Sequence, residues 1–232
     1  ETLRSNFYED SWNYKACEKH SVFVSQGDYP IKGLHFLLRA MKDVLEEYPD
    51  TKVYVAGNCI TGDDGFKKKV KIASYGKYLR ELIEKNNLHE NIVFLGNLNA
   101  AQMKERYLLS NVFVSPSTME NSPNSVGEAM ILGVPVISSR VGGVHNLLEE
   151  GKEGILYEPQ NVQALSNAII KVFDAYEYED AAIMRPLRVK EEEITEVRSY
   201  SGNARAHALR THNPDTNYHR LLEIYEDICK CE

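Results

Sequence analysis

The chain has 232 residues, of which 43% are hydrophobic and 26% charged, and a formal net charge of −7. That length holds one large domain, or one domain with a substantial appendage. The acidic balance argues against a general nucleic-acid binder, which needs a basic face to displace counterions; an anionic small ligand stays open, because it answers to a few local donors.

In chain order, short β-branched and aromatic runs alternate with amphipathic segments. SVFVS (21–25) reads as a first strand and GLHFLLRAMKDVLEEY (33–48) as the helix after it. KVYVAG (52–57) is the second strand. A long connection with a lysine cluster follows (58–74), read as a solvated loop. YGKYLRELIEKNNL (75–88) is helical and NIVFLG (91–96) is a strand. The helix over 100–110 starts at Asn99, with Gln102 three residues on, as a capping box requires. VFVSPS (112–117), a helix to Leu132, VPVISS (134–139) and a weaker strand GILYEP (154–159) complete the alternation.

Residues 176–200 lack one clean period, and a break at Asn213-Pro214 precedes a terminal helix. Strands apolar on both faces, alternating with helices, predict right-handed crossovers and a buried parallel sheet. The expected fold is α/β: a doubly wound, Rossmann-like parallel sheet over 21–175, with a helical extension over 176–232.

Four cysteines, Cys17, Cys59, Cys229 and Cys231, show no zinc-type spacing, so a reduced, cytoplasmic setting and no metal are expected. The terminal Cys229-Lys230-Cys231 reads as a frayed end. No run of about 18 apolar residues exists to span a membrane, and the first residues lack the basic-then-apolar pattern of a secretory leader.

Ligands of an open α/β sheet bind beyond the carboxyl ends of its strands, so the loops there carry the functional reading. After the first strand, Gly27 and Gly33 permit close backbone approach, and Lys32 stands beside a helix start, where an ammonium and free N–H groups suit a phosphate. Neither a GxxxxGK[ST] nor a GxGxxG follows a strand, against a P-loop NTPase or a dinucleotide dehydrogenase. After the fourth strand comes MENSPNSVGEAM (119–130). Ser122 reads there as N-cap and Pro123 as first helical residue, placing Glu120 on the loop and Glu128 in the second turn, both able to face one ligand. Carboxylates of this kind accept hydrogen bonds from ribose. Gly142 and Gly143 offer further backbone N–H groups at a helix start. Together the three loops favour a nucleotide-diphosphate site.

VSQGDYPIKGLHFLLRA, VYVAGN, IVFLGNLN and VFVSPSTMENSPNSVGEAMILGVPVISSRVGGVHNLL together resemble the donor-binding half of GT-B glycosyltransferases of family 4, glycosyl transferases group 1. The terminal THNPDTNYHRLLEIYEDI is similar to that family's closing helix, and the opening ETLRSNFY to the linker between the two GT-B domains, so that 1–20 would be interdomain linker. The resemblance implies a cytoplasmic, retaining, metal-free hexosyltransferase of polysaccharide or glycoconjugate biosynthesis. Its donor would be a UDP- or GDP-linked sugar, with no other cofactor.

By the same resemblance Glu120 would be catalytic, touching the transferred sugar, and Glu128 would hold the ribose hydroxyls. Lys32 would neutralise the diphosphate, with Gln26 and Gly27 nearby, and Gly57 and the Gly96-Asn97-Leu98 turn would lie along the nucleoside. Backbone amides from Asn121 through Ser122 and Pro123 to Asn124 would surround sugar hydroxyls, with Ser125 beside them. Many relatives carry arginine where Gln26 stands, so phosphate binding here would lean on Lys32 and helix termini. The acceptor site, and any peripheral membrane association, would belong to a missing N-terminal domain, leaving the isolated fragment inactive. Alternatives are a non-catalytic nucleotide-binding module, a sugar-nucleotide epimerase half and, more distantly, a glycoside hydrolase using Glu120 and Glu128.

Overall fold

The computed structural model describes residues 3–58, 74–178 and 190–230. Six strands pair only in parallel: β1 (Glu18–Val24), β2 (Lys52–Ala56), β3 (Ile92–Gly96), β4 (Ser110–Ser115), β5 (Val136–Ser139) and β6 (Ile155–Tyr157). Their order is β3-β2-β1-β4-β5-β6. This is the doubly wound arrangement, in which the order reverses between β1 and β4 and leaves a crevice beyond their carboxyl ends. The expected strands all form; β1 begins three residues earlier than the pattern predicts, through the polar Glu18, Lys19 and His20. The 58–74 connection lies outside the described residues, apart from Asn58 and Ser74.

Successive side chains of a strand point to opposite faces, and this divides the core into two layers. Val22, Val24, Val53, Val55, Val112 and Val114 enter one layer, beneath α1 (Leu34–Glu47), α2 (Ser74–Lys85) and α6 (Val162–Glu177). Phe23, Phe113 and Val136 enter the other, beneath α3 (Ala100–Leu109), α4 (Asn124–Leu132) and the short α5 (Val144–Leu147). On α1 the buried Leu34, Leu37, Leu38, Met41 and Val44 follow the i, i+3, i+4, i+7 spacing of one apolar stripe. The Asn99–Gln102 capping box on α3 is formed in both directions. Helix α6 adds to the predicted elements, opened by Asn161, whose side chain accepts from Ala164 N.

Two peripheral pieces complete the chain. The segment before β1 lies on the second layer: Phe7 is fully buried edge-on to Tyr107, and Trp12 donates from its indole to Ser110 O. Helix α7 (Glu191–Thr211) covers α4 and α6 with Ile194, Val197, Tyr200, Ala204 and Ala208. Of the irregular stretch 176–200, residues 179–189 lie outside the described residues and the remainder is helical or at helix ends. The break at Asn213-Pro214 is as expected: the Asn213 side chain caps α8 (Pro214–Cys229) and Pro214 takes its first turn. No residue of α8 is buried.

Candidate functional site

The crevice at the β1–β4 reversal is closed at its base by contact between the two loops leaving those strands. Gly33 has φ +73°, and a Cβ there would stand 1.8 Å from Pro116 O, so only glycine lets the loops meet. Thr118 N donates to Ile31 O at 2.8 Å and extends the contact. Lys32, at the end of one 3-10 turn and just before α1, is thereby carried to the β4 loop.

There Lys32 Nζ donates to Glu120 Oε1 at 2.7 Å, and Ser117 Oγ donates to the same oxygen at 2.7 Å. The Glu120 carboxylate is fixed by a cation and a hydroxyl, with its side chain only 11% exposed. Helix α4 starts one residue later than predicted. Pro123 is the N-cap and Asn124 the first helical residue, so Ser122 is not the cap. Proline takes this place because its extended φ of −74° suits an N-cap, while its lack of a side-chain acceptor leaves the first-turn N–H groups without a side-chain cap.

Glu128, one turn into α4, is buried, and its Oε1 lies 3.1 Å from Arg4 Nε. Burial pushes the Glu128 carboxyl above its ordinary range, against the opposing pull of Arg4 and of the Tyr107 hydroxyl beside it. Tyr107 is itself pushed well above the ordinary phenol range by burial and then by the Glu128 charge, so it remains a hydroxyl, and it donates to Ser125 O at 3.0 Å. Gly127 makes room for the end of α7 and for the N-terminal segment: a Cβ there would stand 3.0 Å from the His212 ring and 3.3 Å from the Leu3 side chain.

Arg4, Lys32, Ser117, Glu120 and Glu128 line a cavity of about 420 Å³, with Tyr107 behind its wall. Of the predicted residues, Gln26, Lys32, Glu120, Ser122, Pro123, Asn124, Ser125 and Glu128 are on its wall. A smaller recess of about 220 Å³ adjoins it and is lined by Gly57, Asn97 and Leu98, with Gln26 again. Arg4, Ser25, Gln26 and Met103 border both. In the smaller recess Asp28 Oδ2 accepts from Asn58 Nδ2, and Asn58 Oδ1 accepts from Asn97 Nδ2, each at 2.8 Å.

Three predicted residues lie off both walls. Gly27 is buried, its missing side chain replaced by Val55 and Leu34, so it serves packing. Gly96 makes a left-handed turn whose carbonyl accepts from Gly57 N. Asn121 gives its carbonyl to Gly143 N at 2.9 Å. That bond takes up the Gly143 N–H, which was expected to be bare; a Cβ at Gly142 or Gly143 would strike the carbonyl of Glu120 or Asn121, so both glycines admit the β4 loop. Sequence reasoning missed Arg4, Ser117 and Tyr107. Their residue types mark nothing alone, and only the packing of Phe7 and Leu3 brings Arg4 to the cavity. Among the described residues no group of three or more metal-ligating side chains is present.

Comparison with known proteins agrees with this fold. The family model for glycosyl transferases group 1 matches residues 7–185. An uncharacterized glycosyltransferase of Methanocaldococcus jannaschii is 29% identical over 163 residues, covering 70% of this chain and 38% of that protein. Among solved structures, Anabaena HepE in complex with UDP-glucose superposes with a TM-score of 0.73 at 21% identity, over 97% of this chain and 56% of that one. The C-terminal domain of a glycosyl transferase group 1 family protein (LpcC) from Francisella tularensis superposes with a TM-score of 0.61 at 17% identity, over 92% of this chain and 96% of that one. The chain thus spans under half the length of the Methanocaldococcus relative.

Proposed function

The chain belongs to the glycosyl transferases group 1 family, and from that premise we propose that it is the donor-binding half of an enzyme moving a hexose from a nucleotide-diphosphate sugar to an acceptor. One observation carries the proposal: Lys32, Glu120 and Glu128, from two loops and a helix, converge on one cavity at the sheet's reversal point. HepE, solved with UDP-glucose, supports a nucleotide sugar as the ligand.

The chemistry follows from where charge develops. Cleavage of the anomeric bond puts negative charge on the departing diphosphate and positive character on the sugar ring. Lys32 and the start of α4 stabilise the first, and the Glu120 carboxylate faces the second. Glu128 accepts from the ribose hydroxyls, and the recess at Gly57, Asn97 and Leu98 takes the base. Retention of configuration belongs to the proposal and rests on the resemblance of the Glu120–Glu128 element.

The acceptor site belongs to a preceding domain. The exposed Tyr218, Leu221, Leu222 and Tyr225 on α8 give such a domain an apolar stripe to cover. A cytoplasmic polysaccharide or glycoconjugate pathway suits the free Cys17 and Cys229. Cys17 is held as a thiol, its pKa pushed up to about 11 by burial.

Thermal shift with UDP, GDP and ADP tests the proposal directly. A rise in Tm with at least one of them, abolished in E128A, is expected; no response to any nucleotide overturns it.

A further inference from the structure

The two recesses share a border, and a ligand with its base in the smaller and its sugar in the larger passes its linking group across that border. Arg4, Ser25, Gln26 and Met103 form it, and of these only Arg4 is charged. Among the described residues lining either recess, Arg4 and Lys32 are the only cations, whereas Asp28, Glu120 and Glu128 are acids. Each cation is held by an acid, Lys32 by Glu120 and Arg4 by Glu128. A diphosphate brings further negative charge that Lys32 alone does not balance.

We infer that Arg4 is the second cation of the diphosphate site, exchanging Glu128 for phosphate when donor binds, an assignment that rests on the donor reading above. The ribose hydroxyls then take over the carboxylate that Arg4 vacates, so no buried charge is left unpaired at any stage. The side chain is built for the exchange. It is 47% exposed, whereas that of Glu128 is 5% exposed, so the guanidinium moves while its partner stays fixed. It reaches Glu128 through Nε, the edge nitrogen, and its planar fork of donors suits phosphate oxygens. Its backbone is anchored on both sides: Leu3 is buried and donates from N to the Tyr8 hydroxyl at 3.2 Å, and Phe7 is in the core.

Exchange predicts opposite effects on two ligands, which a merely structural arginine does not. Calorimetric titration of the full chain, unaltered and as R4Q and R4K, uses whichever of UDP, GDP or ADP binds, and its nucleoside. For R4Q the nucleoside diphosphate is expected to weaken by about 10- to 100-fold. The nucleoside is expected to bind as before or more tightly, because Glu128 has lost its competitor. R4K, which keeps the charge, is expected to retain more diphosphate affinity than R4Q.

Equal losses for both ligands, or diphosphate affinity unchanged in R4Q, overturn the assignment while leaving the donor reading in place. Absence of nucleotide binding by the unaltered chain overturns both. A Tm for R4Q near that of the unaltered chain excludes a folding defect; if R4Q does not fold, R4K decides, and equal loss of both ligands there also overturns the assignment.

Discussion

Lys32 and Glu120 are 88 residues apart in sequence and 2.7 Å apart in space. The bond ties the start of α1 to the loop ahead of α4, and it means that the ammonium and the carboxylate satisfy each other. On the proposed reading, donor binding exchanges that partnership for phosphate on one side and sugar hydroxyls on the other. The K32A variant is therefore expected to weaken nucleoside diphosphate by about 10- to 100-fold, the usual effect of removing a charged hydrogen-bond partner. The nucleoside alone should change far less. Calorimetry with both ligands checks this; equal losses speak against a phosphate contact.

Glu128 gives a pH test. Burial raises its pKa above the ordinary 4.5. The folded chain then holds this proton more tightly than the unfolded chain, so the stability it contributes is present at low pH and fades as pH rises through the folded pKa. On the proposed ribose role, binding runs the other way, because the ionised carboxylate is the form that accepts from hydroxyls. Nucleotide affinity is expected to fall on acidification, with a midpoint above 4.5. E128Q should be weaker at neutral pH by about 1.5–3 kcal/mol and lack that acid limb. An acid limb that persists in E128Q assigns it to another group.

Much of the fold was legible in the residues because its signals are local and strong. Each of the six strands contains a short apolar run, and the Asn99–Gln102 and Asn213-Pro214 signals fell where the helices begin. Helix α6 was legible too, since Leu165, Ile169, Val172, Phe173 and Tyr176 carry a plain helical period, yet no element was predicted there. The buried stripe of α7 was harder. Two of its members are alanines and one a tyrosine, so it has little hydrophobic contrast. At the site, Glu120, Glu128 and Lys32 could be read because strand ends and helix starts predict where ligands sit. Arg4 could not: its position follows from Phe7 reaching Tyr107 across the chain, a tertiary fact with no local pattern.

Gly33 links stability to function. Its φ of +73° costs a non-glycine residue about 1–2 kcal/mol, and a Cβ 1.8 Å from Pro116 O forces the loops apart in addition. G33A is expected to lower Tm by roughly 4–8 °C, which corresponds to about 2 kcal/mol in a chain of this size. Because Lys32 is the neighbouring residue, the displacement should also weaken nucleoside diphosphate binding. Calorimetric melting and titration of one preparation check both. An unchanged Tm shows that the loops separate freely, and that their contact does not position Lys32.

Helix α8 calls for the opposite result. It buries no residue, while Tyr218, Leu221, Leu222, Tyr225 and Ile228 expose an apolar stripe at helical spacing. An amphipathic helix in water gains most of its stability from burying such a stripe, so the stripe, uncovered among the described residues, is a surface suited to a partner. Truncation after Asn213 is expected to lower Tm by less than about 4 °C, since surface changes rarely exceed a kcal/mol or so. Nucleotide affinity should stay within about twofold, because no residue of α8 lines either recess. The truncated chain should also be the less prone to associate, measured by light scattering across a concentration series. A large fall in Tm makes α8 part of this core, and removes it as a surface for a preceding domain.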